Sequence, residues 1–229
     1  VLSCFCFRID AQPTNLAIGS STLIEAAGRV ECLTSANTNW HSAVVGTALL
    51  SGDRVRTHEQ SRAAVQLSDH SVIRLSELTT LELLSPRATE KKRFGLPAGS
   101  LYFFDREKPA DVEFDTPLAA GAIRGTEFLL AVADNKRSLR LALIDGRVSL
   151  NTTNGQVSLE PGEDVTVAPG HSPAKTALVN VNSAIQWALY YPAVLDPDDV
   201  SLAADERSKL DEVIAAYRAG DLLGALAQW

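Results

Sequence analysis

Methionine is absent from all 229 residues, position 1 included. No apolar run reaches the roughly 18 residues that a membrane helix needs. The chain therefore reads as starting inside a longer product or at a valine-coded start, with no membrane span. Cysteine is scarce: Cys4 and Cys6 sit in the apolar opening VLSCFCF and Cys32 stands alone in the body, so no disulfide framework is implied. Cys32, beside Leu33 in a strand-like stretch, reads as a small buried hydrophobe. The four histidines, His41, His58, His70 and His171, show no metal-ligand repeat, and no metal is expected. There is no Gly-x-Ser-x-Gly elbow, and neither Gly121 nor Gly125 leads into Lys-Ser/Thr or a helix start, so no phosphate loop is expected. No catalytic residue and no cofactor is expected, and pairing the plentiful carboxylates without a pocket has no basis. The net charge of −7 and a pI of about 5.1 argue against nonspecific nucleic-acid binding.

What the chain does have is a hydrophobic share of 45%, enough to bury a core, and a dense grammar of short strands and turns. Residues 1–26 carry no sustained period and read as a leader or linker. From Gly28 the strand signals begin, and a β body is expected over residues 27–180. Gly52 and Asp53 belong to a turn, and Ala63, Val65 and Leu67 share one face. Ser68–Ser71 reads as a tight connection to Val72–Leu75, with His70 at a position more often filled by Gly or Asn. Trp40 reads as a plug at one end of the core, the alternative being an exposed contact surface. Leu101–Phe104 places aromatics on both faces of one strand, so both faces should be covered. Leu139, Leu141 and Leu143 alternate with polar or small residues, and turns are expected at Asp145-Gly146, Asn154-Gly155, Pro161-Gly162 and Pro169-Gly170. PRATEKKR (Pro86–Arg93), the one basic cluster, reads as a solvated loop, with an anion contact as the alternative.

The fold class expected is mainly β: an antiparallel roll or sandwich, or a solenoid-like stack of short strands and hairpins, ending in a small C-terminal α-helical hairpin. Asn182-Ser183 can cap a short helix within 181–200, a stretch that ends in the acidic, Pro-containing linker LDPDD. Over 201–229, Leu210, Val213, Ile214 and Tyr217 form one apolar helical face, with Gly220-Asp221 joining it to a second helix. That pair is similar to the start of a tetratricopeptide-type repeat, which would pack on further repeats.

The run Thr116–Val132 organises the rest. Pro117 holds Thr116 extended, Gly121 and the tetrad Ile123-Arg124-Gly125-Thr126 follow, and Phe128, Leu130 and Val132 alternate at period two. It reads as a strand, a glycine-permitted bulge or bend, and a second strand. The same run resembles the core of the FecR-type domain, which carries a TP…(I/V)xGTxF pattern. Gly28-Arg29-Val30, LLSGDRVRT, SRAAVQLSDHSVIRL, LELL, IDGRVSL and VSLEPGEDVTV agree in order, over roughly Gly28 to Pro169. Family-motif positions under this resemblance are Thr116, Pro117, Gly121, Ile123, Arg124, Gly125, Thr126, Phe128, Gly52, Asp53, Asp145, Gly146 and Gly162.

The resemblance implies a bacterial, periplasmic or otherwise extracytoplasmic domain that senses an outer-membrane receptor and signals through a membrane helix to a sigma factor. The chain departs from that plan in showing no membrane helix and no anti-sigma segment. The leading expectation is thus a non-enzymatic binding or scaffold module with a protein or cell-envelope glycan partner, coupled to a helical-repeat region. The alternative is the sensor of an iron-responsive, sigma/anti-sigma signalling system, and the third reading is a hydrolase on a β scaffold. Arg54, Arg56 and Arg124 are the candidate partner contacts. Together with Arg62 and Arg74, they either bridge carboxylates such as Asp53, Glu77 or Glu127 along strand surfaces, or serve a polar network or an anionic ligand.

Overall fold

A computed structural model describes residues 21–178 apart from 36, 87–90, 106–109 and 134, together with 207, 208, 210, 212 and 213. The last five are helical, and the expected C-terminal helical hairpin otherwise lies outside the described residues, as does the short helix and linker expected at 181–200.

Each strand forms where alternation supplies one apolar face. In order they are β1 (Ser21–Ala27), β2 (Val30–Leu33), β3 (His41–Ser42), β4 (Ala48–Leu49), β5 (Arg54–Thr57), β6 (Arg62–Gln66), β7 (Val72–Leu75) and β8 (Thr80–Leu84). They continue with β9 (Lys92–Phe104), β10 (Ala110–Asp115), β11 (Ala119–Val132), β12 (Leu139–Thr152), β13 (Gly155–Leu159), β14 (Glu163–Val167) and β15 (Ala174–Ala177). All belong to one open 15-stranded sheet, antiparallel except where β9 and β10 run parallel.

The sheet divides into two facing halves. One runs β4-β1-β6-β7-β9-β11-β12-β14-β15 and the other β3-β2-β5-β8-β9-β10-β11-β12-β13. Strands β9, β11 and β12 appear in both because each is long enough to leave one half and enter the other. Leu23, Ile73, Phe103, Phe128 and Leu141 from the first half meet Cys32, Val55, Phe94, Ile123 and Val148 from the second in a single core cluster. Phe103 stacks on Phe128 at 4.9 Å between ring centroids, and Phe94 lies against Phe114 at 6.1 Å, both within the range of favourable ring contacts. A smaller cluster, Tyr102, Leu129 and Ala142 with Phe104, Ala131, Ile144 and Leu178 around it, covers the other face of β9, β11 and β12. Both faces of Leu101–Phe104 are thus covered, as its aromatic pattern implies.

The structure corrects several readings of the sequence. Thr116–Val132 is a turn followed by a strand that carries the expected glycine bulge at Gly125, so the two segments read as separate strands are one continuous β11. Asp145-Gly146 does not reverse the chain, because it lies inside β12, where Gly146 takes φ +113°. The dipeptide's tolerance of positive φ serves a bulge here. Register shifts fall between Arg124 and Glu127 and again between Glu127 and Phe128, and they cancel. Arg124 pairs with Arg147 before the bulge and Phe128 with Leu143 after it. Pro161-Gly162 joins β13 to β14, but these two pair end to end along the two segments of β12, so this turn is a corner that follows the same bulge. Asn154-Gly155 and Ser68–Ser71 are hairpin turns as read, with His70 at φ 71°.

Three other stretches also differ. β1 begins inside the segment read as leader, and Leu23 is fully buried there opposite Val65. Trp40 is half-buried and does not plug the core; the Arg56 guanidinium lies 4.2 Å from its ring centroid, a cation–π contact. Of the basic cluster, Lys92 and Arg93 open β9 and are ion-paired to Asp69 and Asp115 respectively, so that end is strand rather than loop.

Backbone contact at the bulge is close enough to exclude side chains. A Cβ on Gly125 would sit 2.6 Å from the Asp145 carbonyl oxygen and 2.8 Å from the Gly146 Cα, and one on Gly146 would sit 2.3 Å from the Gly125 Cα. Gly125→Val should lower unfolding free energy by about 1–3 kcal/mol, because backbone on the facing strand must move to make room. Gly146→Ala should cost at least as much, since it adds a positive-φ penalty of about 1–2 kcal/mol. Urea titration of the two variants checks both; wild-type midpoints would show that the contact is dispensable.

Candidate functional site

The bulge shapes the surface above it. β11 alternates Ile123 inward with Ala122 and Arg124 outward, and β12 alternates Val148 inward with Arg147 and Ser149 outward. Ala122 and Ser149, both small, leave an open groove of about 520 Å³. Lys91, Asp111, Arg124, Asp145 and Arg147 complete its lining with the glycine pair. The Thr126 hydroxyl donates to the Asp145 carboxylate and ties the two bulged segments together. Arg147 reaches Glu160 at 3.0 Å in a pair exposed on both sides, which contributes little to stability.

The motif residues fall into distinct places. The Thr116 hydroxyl donates to the Ala119 carbonyl at 2.7 Å and accepts from the Ala119 amide at 3.0 Å, closing the turn that contains Pro117. Gly121 pairs with Phe114 across the β10–β11 ladder, and the Phe114 ring occupies the space a Cβ would take. Ile123 and Phe128 are core residues. Gly52 is at positive φ, and buried Asp53 accepts from the Ser35 amide at 2.7 Å and the Leu50 amide at 2.8 Å, so both shape a distant turn. Gly162 sits at the β13–β14 corner. Of these positions, Ile123, Arg124, Gly125, Asp145 and Gly146 line the groove, and sequence reading did not identify Lys91, Asp111, Arg147 or Ser149 as its neighbours. Arg147 and Ser149 are spaced at period two beyond the Asp-Gly bulge, which is the signal that would have placed them.

Arg54 and Arg56 do bridge carboxylates, but not those expected. Arg54 meets Glu82 at 3.2 Å and Arg56 meets Glu31 at 2.6 Å. Asp53 is committed to backbone amides, Glu77 accepts from the Gln60 amide, and Glu127 accepts from the Tyr102 hydroxyl. Neither Arg54 nor Arg56 lines the groove. Of the three, only Arg124 has a side chain with no hydrogen-bond or ion-pair partner among the described residues.

Two polar clusters lie elsewhere. Glu31 accepts from His58 Nε2 at 2.9 Å, from Arg29 at 2.8 Å and from Arg56, and these bonds lower its pKa to about 2. Cys32 is fully buried with its Sγ 3.0 Å from His41 Nε2, and burial, aided by the charge of Asp53, pushes the thiol upward. A thiol held neutral in this way is a poor nucleophile. Among the described residues no group of three or more His, Cys, Asp or Glu could hold a metal ion, and no helix is long and apolar enough to cross a membrane.

Residues 53–149, which contain both glycines and the groove, match the FecR protein family. Two crystal structures, each of a candidate anti-sigma factor from Parabacteroides distasonis, share the fold. The first has a TM-score of 0.52 at 14% identity, over 59% of this chain and 64% of that one. The second has a TM-score of 0.50 at 14% identity, over 59% and 62% respectively. The match therefore spans a little under two thirds of those chains. No curated protein matches this chain. The tetratricopeptide-like tail finds no support in these comparisons.

The Glu31 cluster has a pH signature. A carboxylate whose folded pKa lies below its unfolded value contributes stability that is fully present above the unfolded pKa and is lost as pH falls through the folded one. With the ordinary value at 4.5 and the folded value at about 2, that contribution should disappear across this interval. Denaturation midpoints measured from pH 6 to about 2 should fall less steeply in Glu31→Gln than in the wild type. Parallel curves would assign acid sensitivity to other groups.

Proposed function

We propose that this chain is a FecR-like signalling sensor: a non-enzymatic, extracytoplasmic β domain that binds a protein partner and passes its state towards a sigma factor. The observation that carries the reading is the FecR match over residues 53–149, which brackets the bulged strands and their groove. The likeness to candidate anti-sigma factors in fold agrees with it. Regulatory relatives also favour binding over catalysis. This reading takes precedence over a scaffold coupled to helical repeats, and glycan recognition has no separate observation in its favour.

The groove provides the docking face. It is open, carries charged side chains, and rests on a bulge whose backbones are in close contact. Deleting the gene in the source bacterium and profiling transcripts tests the regulatory role. A set of transcripts sharing one sigma-dependent promoter type should shift, and the full-length protein should restore them. Unchanged transcription on both deletion and overproduction would sink the reading.

A further inference from the structure

The outward side chains around the bulge form a row across three strands. Asp111 on β10 stands in register with Arg124 on β11, and Arg124 in register with Arg147 on β12. Arginines in register on neighbouring antiparallel strands put like charges at adjacent positions, and such pairs cost stability. Elsewhere on the strands Arg54, Arg56, Arg62, Arg93 and Arg140 each hold a carboxylate. Arg124 holds none among the described residues, and Asp111, although in register with it, makes no ion pair with it. Among the described residues the Arg147 side chain is engaged only by exposed Glu160, a weak tie that a ligand can displace.

The geometry points to a carboxylate clamp: Arg124 and Arg147 together receive an Asp or Glu side chain of the protein partner. The inference rests on the reading of the chain as a partner-binding sensor, and it names the chemistry of that contact. An anion between the two guanidinium groups converts their repulsion into two charge-assisted contacts, each group offering a planar fork of donors. The groove's charge selects the kind of anion. Its lining carries three cations, Lys91, Arg124 and Arg147, against the carboxylates of Asp111 and Asp145. With Glu160 beside Arg147 as well, the groove has little positive charge to spare, which suits a singly charged carboxylate better than a phosphate dianion. The small Ala122 and Ser149 give the incoming side chain its room.

The role leaves a mark that a structural arginine would not. Because Arg124 is in register with a like charge and its side chain has no partner among the described residues, Arg124→Gln should leave the thermal midpoint unchanged or raise it, while weakening binding. In the full-length protein, an acetylated pentaglutamate peptide should shift the Nε–Hε resonances of Arg124 and Arg147. Pentaglutamine should not. Arg124→Gln should weaken the peptide about tenfold, the loss expected for one charge-assisted contact. Unmoved resonances, or equal affinity in the variant, would overturn the clamp. A response to inorganic phosphate without one to pentaglutamate would overturn the carboxylate assignment. A photo-crosslinker at Ser149 in intact cells separates this inference from the reading beneath it. A partner captured equally well by the Arg124→Gln protein refutes the clamp and leaves the sensor reading standing. Peptide binding without any captured protein removes the partner, and with it the reading on which the inference rests.

Discussion

The contact between the Gly125 and Gly146 backbones is the constraint on which the rest of this structure depends. Two long neighbouring strands can pass from one half of the sheet to the other only if they bend at the same level. Here both do so through a paired bulge whose register shifts cancel, so the ladder is regular on either side. A side chain at either position would meet backbone, and backbone cannot rotate away. The neighbouring strands adapt to that bend. β13 and β14 divide β12 between them and turn at Gly162, and β10 and β9 divide β11 in the same way. β9 makes its own passage at Gly99, packed against Thr79. The core then forms between halves that these strands hold in place.

The electrostatics of the outer face follow from the same register. Pairing across strands decides which charges meet, and most arginines meet a carboxylate. At the bulge the pattern breaks, and Arg124 is set beside Arg147. Such a local conflict within an otherwise consistent structure detracts from stability instead of adding to it. The cluster around Glu31 is the opposite case, because three donors converge on one carboxylate and satisfy it internally.

Much of this architecture could be read from the sequence because period-two alternation and turn dipeptides are local signals. Leu139, Leu141 and Leu143, the Asn154-Gly155 turn and the Ser68–Ser71 hairpin all come through. What stayed hidden was decided by partners distant in the chain. Asp-Gly provides the same backbone freedom to a hairpin and to a bulge, and only the presence of Gly125 opposite selects the bulge. β1 escaped notice because STLIEAA fully buries only alternate positions near its start, and its pairing strand β6 is far along the chain. The partners of Arg54 and Arg56 could not be named because they lie on other strands, as the Arg54–Glu82 register shows. The groove was half legible: its Ile123-Arg124-Gly125 wall stood out, but Arg147, Ser149 and Asp111 join it only through the ladder.

The order of strands has a mechanical consequence. β1 enters near one end of the hydrogen-bonded path and β15 leaves at the other. Inter-strand bonds lie across the strands, so tension drawn along that path loads them in peeling fashion, one ladder after the next. β15, exposed at every position and paired on one side only, would yield first, and the bulged β11–β12 pair would be shielded behind β14. A pull on the end of the chain would therefore be absorbed by the outermost strand before it reached the glycine contact.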